Sequence, residues 1–271
     1  MLQNHFVVLL AILPWLGVSV TAQNVSSQAY TPVAAPCPAG FNLVRMAGTP
    51  GAQSLSSSEA SYVGNRKTNV LPQAWKTYLS NVLSTNASLP NYVASILSGN
   101  SSETPTLGIA TSGGGYRAAI FGAGVLNALD GRNSSSTSAG IGGLLQAATY
   151  LSGLSGGSWL LTSLAQANFP TIQELVFGPA SPTVSNTLWG GWSINYDIAM
   201  PSNDPVTDTE YSTNLVEELR GKYDAGYVVT FADYWSRALA RHFTNGTFSS
   251  NFYDESYTHG AGILWSGVAD M

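Results

Sequence analysis

Apolar side chains recur at helical spacing over several stretches of the chain. Trp75, Tyr78 and Val82 fall on one helical face, three to four residues apart, which predicts a helix over residues 73–83. The same kind of pattern, with suitable start and stop residues, predicts three more helices, over residues 89–97, 208–223 and 230–242.

Charged side chains on the two later helices suggest local pairing. Glu218 precedes Lys222 by four residues, and Asp233 precedes Arg237 by four, so each pair is predicted to form an intrahelical ion pair. His242 falls in the last turn of its helix, where the helix dipole favours a cation. We therefore interpret His242 as a structural rather than a catalytic residue.

Two short apolar runs, over residues 107–111 and 147–152, predict buried strands instead. A glycine-rich turn and then a helical pattern follow each run, and this alternation is typical of an α/β fold. Residues 169–205 are rich in proline, glycine and tryptophan, which predicts a long excursion with little regular structure. We interpret Trp189 and Trp192 as packing on the domain surface, in preference to forming a lid.

The turn after the second strand reads Gly153-Leu154-Ser155-Gly156-Gly157-Ser158-Trp159 and matches G-x-S-x-G. In a strand-to-helix turn this tight, the serine backbone is strained and its neighbours must lack bulk. Such a turn exposes the serine hydroxyl and directs the first amides of the helix toward a bound group. Ser155 is therefore a candidate nucleophile, with a plain Ser/Gly-rich loop as the alternative.

The turn after the first strand reads Ser112-Gly113-Gly114-Gly115-Tyr116-Arg117-Ala118. Three glycines at the head of a helix leave backbone N–H groups free to bind a developing oxyanion or a phosphate. A nucleotide-type glycine loop or a plain turn is the alternative interpretation. Between Lys76 and Arg220 the only Lys or Arg residues are Arg117 and Arg132, so a cation beside the glycines indicates an anionic substrate group.

Composition and charge exclude several kinds of partner. The net charge is −5 and the pI is about 5.0, which argues against binding of nucleic acid and against strong attraction to an anionic membrane. His242 and His259 lack the spacing of metal ligands, and the acidic residues over 203–208 are too sparse for a calcium loop. We therefore predict no metal and no other cofactor.

The N-terminal region is predicted to direct export. Residues 1–22 read as a signal peptide that is removed after Ala22, and residues 23–58 read as an irregular lead-in. Sequons that indicate N-glycosylation stand at Asn24, Asn86, Asn100, Asn133 and Asn245. The single cysteine, Cys37, is either free and buried or separated from its partner.

Taken together, Ser112–Ala118 and Gly153–Trp159 resemble the fungal lysophospholipase/phospholipase B family, which is related to the catalytic domain of cytosolic phospholipases A2 and to patatin. The resemblance implies a three-layer α/β/α fold around a central mixed sheet, incomplete in this chain. It also implies that residues 37–271 are the N-terminal portion of a lysophospholipase catalytic domain. The family's base, an aspartate in a D-G-G sequence, has no counterpart here. We therefore expect the domain to be truncated before its catalytic aspartate.

The resemblance also implies individual roles. Ser155 is the nucleophile, the amides of Gly113 and Gly114 with that of Gly156 bind the oxyanion, and Arg117 lies near the substrate phosphate. The implied reaction is hydrolysis of fatty-acyl esters of phospholipids and lysophospholipids at a membrane or micelle surface, through an acyl-serine. The protein is expected to be secreted, with cell-surface or cell-wall association left open.

Two other functions stay open at this point. A secreted esterase of the α/β-hydrolase type would use Ser155 with a downstream acid and His259, an order of residues that the G-x-S-x-G motif permits. A catalytically inactive lipid-binding protein would explain the missing aspartate equally well.

Overall fold

The structure, a computed structural model, describes residues 31–37, 39–40, 44–178, 191–194 and 197–243. Several predictions fall outside these residues, namely the leader over 1–22, the sequons at Asn24 and Asn245, Trp189 and His259. The chain divides into two compact units, one of residues 36–196 and 239–271, the other of residues 1–35 and 197–238.

The larger unit carries both glycine-rich turns. In chain order its described elements are α1 (Ser57–Asn65), a π-helical segment (Arg66–Val70), α2 (Leu71–Ser84), α3 (Val93–Leu97), β1 (Leu107–Thr111), α4 (Gly115–Leu129), α5 (Ser134–Ser138), β2 (Ala148–Gly153), α6 (Gly156–Gln166), α7 (Ile172–Phe177) and a second π-helical segment (Leu239–Phe243).

The two strands pair in parallel, with Gly108 opposite Tyr150 and Thr111 opposite Gly153. A parallel pair needs a crossover connection, and here the chain between the strands contains α4 and α5. Because the carboxyl ends of parallel strands meet at one edge of the sheet, the two glycine-rich turns begin side by side. Helices together with a small parallel sheet confirm the α/β prediction at this level of detail.

The core of the larger unit lies among α4, α6 and α7. Its buried side chains include Ala119, Ala123 and Leu126 from α4, Leu160 and Leu164 from α6, and Ile172 and Leu175 from α7. Gly122 lets α4 approach α6 closely, since a Cβ at this position would lie 2.9 Å from Leu160 Cδ2. Packing α4 against α6 fixes the two turns from which these helices start.

Side chains from α1 and the first π-helical segment bind backbone carbonyls at and just before β2. The Tyr62 hydroxyl donates to Thr149 O at 2.8 Å. Arg66 Nη2 donates to Gln146 O at 2.8 Å and to Ala148 O at 2.7 Å. Burial lowers the pKa of Arg66, whereas the adjacent Tyr62 raises it. The carbonyl oxygens replace the water that this buried guanidinium has lost.

The helix predicted over 73–83 is confirmed as α2, but the prediction over 89–97 was too long. Only α3, Val93–Leu97, is α-helical in this stretch. The amides of Val93 and Ala94 donate to Pro90 O and Asn91 O, three residues back, so the chain enters α3 through tighter turns.

The predicted excursion over 169–205 is more regular than expected at its start. Helix α7 begins with a reciprocal capping box, in which Thr171 and Glu174 each bind the other's backbone amide. Trp192, 7% exposed, belongs to the core, so it is buried more deeply than the predicted position on the domain surface. Cys37 is exposed, so the first of its two interpretations, a free and buried thiol, was wrong. The second, a thiol separated from its partner, stays a prediction.

The smaller unit contains α8 (Pro205–Asp224) and α9 (Phe231–Ala238). Both intrahelical ion pairs predicted here were wrong, because the charges pair between the helices instead. Glu218 binds Arg237, and Lys222 binds Asp233. Glu218 and Arg237 are both buried, and a buried charge requires a partner within direct reach.

Candidate active site

Ser155 lies between the end of β2 and the start of α6 with φ 50° and ψ −120°. A positive φ is strained for a residue with a side chain. The flanking glycines leave the necessary space. A Cβ on Gly153 would lie 2.7 Å from the carbonyl of Gly157, and one on Gly156 would lie 2.2 Å from Gly115 O. The structure thus contains the predicted strained turn, in which the residues that flank the serine turn are small.

Gly113, two residues before α4, lies directly against this serine. A Cβ on Gly113 would lie 3.0 Å from Ser155 Cβ and 3.7 Å from Ser155 Oγ. Gly114 precedes α4 with φ 137°, a conformation that favours glycine, and a Cβ built on it would lie 3.3 Å from Ala118 Cβ. The structure therefore brings Gly113, Ser155 and the start of α6 together, with Gly114 next along the chain.

Backbone hydrogen bonding explains why the two turns meet. Leu154 N donates to Thr111 O at 3.0 Å, which continues the parallel ladder to the residue before the serine. Helices α4 and α6 then start next to each other, so the positive ends of two helix dipoles converge near Ser155. An anion or a developing oxyanion would be stabilised at this place.

The Ser155 hydroxyl is exposed and uncommitted. Although Ser155 is the N-cap of α6, its side chain accepts no hydrogen bond from the helix, unlike the capping side chains of Ser56 and Thr171. Within the ranges that the structure describes, no side chain forms a hydrogen bond with this hydroxyl. No general base for Ser155 is therefore in place among those residues.

Asp130 is the aspartate that comes nearest to the D-G-G sequence, and it serves a structural role. It is 1% exposed and is bound by Arg132 and by Gln146 Nε2, the latter at 2.8 Å. Burial raises the pKa of Asp130, but the hydrogen bonds from Arg132 and Gln146 outweigh it and hold that pKa below its ordinary value. A carboxylate stabilised in this way is a poor base.

The two cations between Lys76 and Arg220 have different roles. Besides Asp130, Arg132 binds the carbonyls of Phe169 and Pro170, at 2.8 Å and 3.0 Å. Arg117 lies exposed in the first turn of α4 and forms no ion pair or hydrogen bond with any described residue. Only Arg117 of these two is thus free to bind an anionic group beside the glycines.

An aromatic cluster that the sequence did not predict supports both helix starts. Tyr116 of α4 and Trp159 of α6 have ring centroids 5.8 Å apart, and Phe243 contacts both. Trp192 packs against Phe243 with the two rings tilted and their centroids 4.9 Å apart, and its indole N–H donates to Ser163 Oγ at 3.1 Å. No local spacing links these four aromatic residues, so sequence patterns alone could not have grouped them.

The remaining predicted sites are placed as follows. Asn86 and Asn100 are exposed, whereas Asn133 is partly buried, caps α5 and donates through Nδ2 to Asn127 O at 3.2 Å.

Across the described part of the chain, no three His, Cys, Asp or Glu side chains cluster so that they could hold a metal ion. The helices in that part include none of the length and apolar character that crossing a membrane requires.

The fold and the site together define an α/β protein whose exposed serine, on a strand-to-helix turn, faces a glycine-rich helix start. The chain belongs to the lysophospholipase catalytic domain family, whose model matches residues 107–260. The matched segment includes both strands, both glycine-rich turns and the residues predicted to act there.

Curated relatives agree with this assignment. The chain is 34% identical to Lysophospholipase 2 of Saccharomyces cerevisiae over 263 residues, which are 96% of this chain and 34% of that protein. It is 38% identical to Lysophospholipase 1 of Aspergillus fumigatus over 242 residues, which are 89% of this chain and 35% of that protein. The chain thus spans about a third of the length of these relatives. No solved structure matches it.

Proposed function

We propose that this chain carries the nucleophile and the oxyanion loop of a secreted lysophospholipase, which hydrolyses fatty-acyl esters of lysophospholipids and phospholipids. One observation carries the proposal: Gly113 lies against Ser155 where the paired strands end, with a Cβ-to-Cβ separation of 3.0 Å for a side chain built on the glycine. Membership of the lysophospholipase catalytic domain family supports the choice of substrate.

In the proposed reaction, Ser155 Oγ attacks the acyl carbonyl carbon and loses its proton to a base. The amides of Gly113 and Gly114, with that of Gly156, stabilise the negative charge on the carbonyl oxygen. The ester C–O bond then breaks, and the glycerophosphate alcohol leaves with a proton, so that the acyl-serine remains. Water attacks this second ester, releases the fatty acid and regenerates the Ser155 hydroxyl.

The proposed base is an aspartate in a part of the whole protein outside residues 1–271. The family's D-G-G sequence does not occur in this chain, and Asp130 is already bound by Arg132 and Gln146. A serine hydroxyl needs a base within hydrogen-bond reach to be a competent nucleophile at neutral pH. We likewise propose the three-layer α/β/α arrangement for the whole domain, with β1 and β2 as two of its central strands.

Arg117 is proposed to bind the substrate phosphate. It is exposed in the first turn of α4, two residues after Gly115, and it has no partner among the described residues. A planar guanidinium binds phosphate oxygens through two parallel hydrogen bonds. This role would let the enzyme prefer phospholipids over neutral esters.

Replacement of Ser155 by alanine in the full-length protein tests the proposal. Ser155→Ala should abolish the release of fatty acid from lysophospholipid micelles and prevent labelling by a fluorophosphonate. Ser138→Ala, at an exposed serine of α5, is the matched control and should leave both unchanged. Substantial hydrolysis by Ser155→Ala would rule out Ser155 as the nucleophile.

Export is tested separately, by N-terminal sequencing that should begin at Gln23.

A further inference from the structure

We propose that Ser158 is a positioning residue, whose hydroxyl closes the turn that carries Ser155. Ser158 Oγ donates to Gly153 O at 2.7 Å, and these residues stand three places after and two places before the nucleophile. The hydrogen bond therefore joins the last residue of β2 to the first turn of α6 around Ser155. This inference rests on the proposed function, in which Ser155 is the nucleophile.

The backbone of the turn has little stiffness of its own. Gly153, Gly156 and Gly157 have no side chain to restrict their backbone torsions. Ser155 between them holds a strained φ of 50°. Such a conformation persists only where the surrounding structure constrains it strongly. Contacts that tie the two ends of the turn together are what can supply that constraint.

Ser158 supplies a link that the backbone does not make. Gly157 N donates to Leu154 O at 2.9 Å, and Trp159 N donates to Ser155 O at 3.1 Å. Both bonds lie inside the turn and the helix that follows. The Ser158 hydroxyl instead reaches Gly153 O on the strand itself, so it resists separation of α6 from β2.

The geometry differs from that of an ordinary helix serine. Serine hydroxyls within helices usually bond to the carbonyl three or four residues back, as Ser163 does to Leu160 O at 3.0 Å. Ser158 instead bonds to the carbonyl five residues back, outside its own helix. The bond therefore stabilises the junction between two elements, not the interior of one.

A second hydroxyl ties the same turn to the oxyanion loop. Thr111 Oγ1 lies 3.3 Å from Ser152 O and 3.2 Å from Gly157 O, and Thr111 directly precedes Ser112 and Gly113. One hydroxyl proton is shared between two acceptors, so each of these bonds is weaker than that of Ser158. The Ser158 bond is the shorter and more direct constraint on Ser155.

The experiment uses the full-length protein and three variants, of which Ser158→Thr and Ser158→Val have side chains of nearly equal shape. Ser158→Thr keeps the hydroxyl, whereas Ser158→Val and Ser158→Ala remove it. Loss of one neutral hydrogen bond should lower kcat for lysophospholipid about tenfold in the Val and Ala variants, with KM unchanged. The Thr variant should keep most of the kcat. The rate of fluorophosphonate labelling of Ser155 should follow kcat.

Ser136→Ala is the matched structural control. Ser136 is buried, and its hydroxyl likewise donates to a carbonyl, that of Asn127, at 3.2 Å. Asn127 lies near the far end of α4, ~18 Å from its start at 1.5 Å per residue. This variant should lower the melting temperature without changing kcat, which is the behaviour of a hydroxyl that only stabilises the fold.

The outcomes separate this inference from the proposed function. Equal kcat values for Ser158→Thr and Ser158→Val, or a loss of stability alone as in Ser136→Ala, would overturn the positioning role while Ser155-dependent hydrolysis continued. If the wild-type protein released no fatty acid, or if Ser155→Ala released it at the normal rate, the proposed function itself would fail.

Discussion

Gly113 occupies a position where a side chain cannot be added without displacing the nucleophile. A Cβ there would lie 3.0 Å from Ser155 Cβ and 3.3 Å from Leu154 O. We expect Gly113→Val to lower kcat about a hundredfold, the usual scale for the loss of one oxyanion donor. Release of fatty acid from lysophospholipid is the measurement.

Gly64 gives the control for this substitution. It lies in α1, and a Cβ at this position would meet no atom within 4 Å. Gly64→Val should therefore leave kcat unchanged. A Gly113→Val variant with normal kcat would show that the turn can make room for a side chain beside Ser155, so that this glycine is not needed for space.

Arg117 allows a second prediction at the scale of single residues. The Arg117 guanidinium is exposed beside the glycine-rich turn and is unpaired among the described residues. Arg117→Ala should therefore lower kcat/KM for lysophospholipid by at least tenfold more than for a neutral ester. This factor corresponds to a loss of ~1.4 kcal/mol of charge-assisted binding. Lys76→Ala, at an exposed cation of α2, should change neither value. Equal losses on the two substrates would assign Arg117 a structural role.

At the scale of elements, the buried ion pair of Glu218 and Arg237 joins α8 to α9. The side chains of Arg237 and Glu218 are 7% and 4% exposed. Arg237→Met removes the positive charge that binds the buried Glu218 carboxylate, and we expect unfolding of this unit to become easier by about 3–5 kcal/mol. Hydrogen exchange of the backbone amides of α8 and α9 at increasing urea would measure the change in this unit.

Two comparison variants make this prediction specific. The exposed pair of Arg220 and Asp224 is 3.6 Å long, and Arg220→Ala should cost only about 0–1 kcal/mol. The double variant Glu218→Leu with Arg237→Met should recover most of the stability, since well-packed apolar groups replace buried ion pairs at little cost. If Arg237→Met and Arg220→Ala gave equal losses, the buried pair would have no special weight.

At the scale of the whole molecule, the question is whether two or three residues perform the chemistry. A serine–aspartate dyad needs no histidine, so His259→Ala in the full-length protein should keep most of the hydrolytic rate. The measurement compares the kcat of His259→Ala with that of Ser155→Ala. A correctly folded but inactive His259→Ala variant would instead favour the α/β-hydrolase alternative, in which histidine is the base.

The strands and helices next to the candidate site, and the local context of Ser155, follow from the order of residues along the chain. Strand, glycine turn and helix are local signals, because they depend on residues within four positions of one another. The order of residues alone was therefore enough to assign two strand-to-helix turns. One holds Ser155 with its flanking glycines, and the other holds the glycines that precede α4. The helix over 73–83 was predictable for the same reason.

Contacts between residues far apart in the chain became visible only in the folded protein. Gly113 lies against Ser155, and Trp192 is buried in the core. Glu218 contacts Arg237, and Asp233 contacts Lys222, so each carboxylate binds a cation of the other helix and not of its own. These contacts depend on how strands pair and helices pack. The free energy of burial is shared by residues far apart in sequence, so no local spacing can specify it.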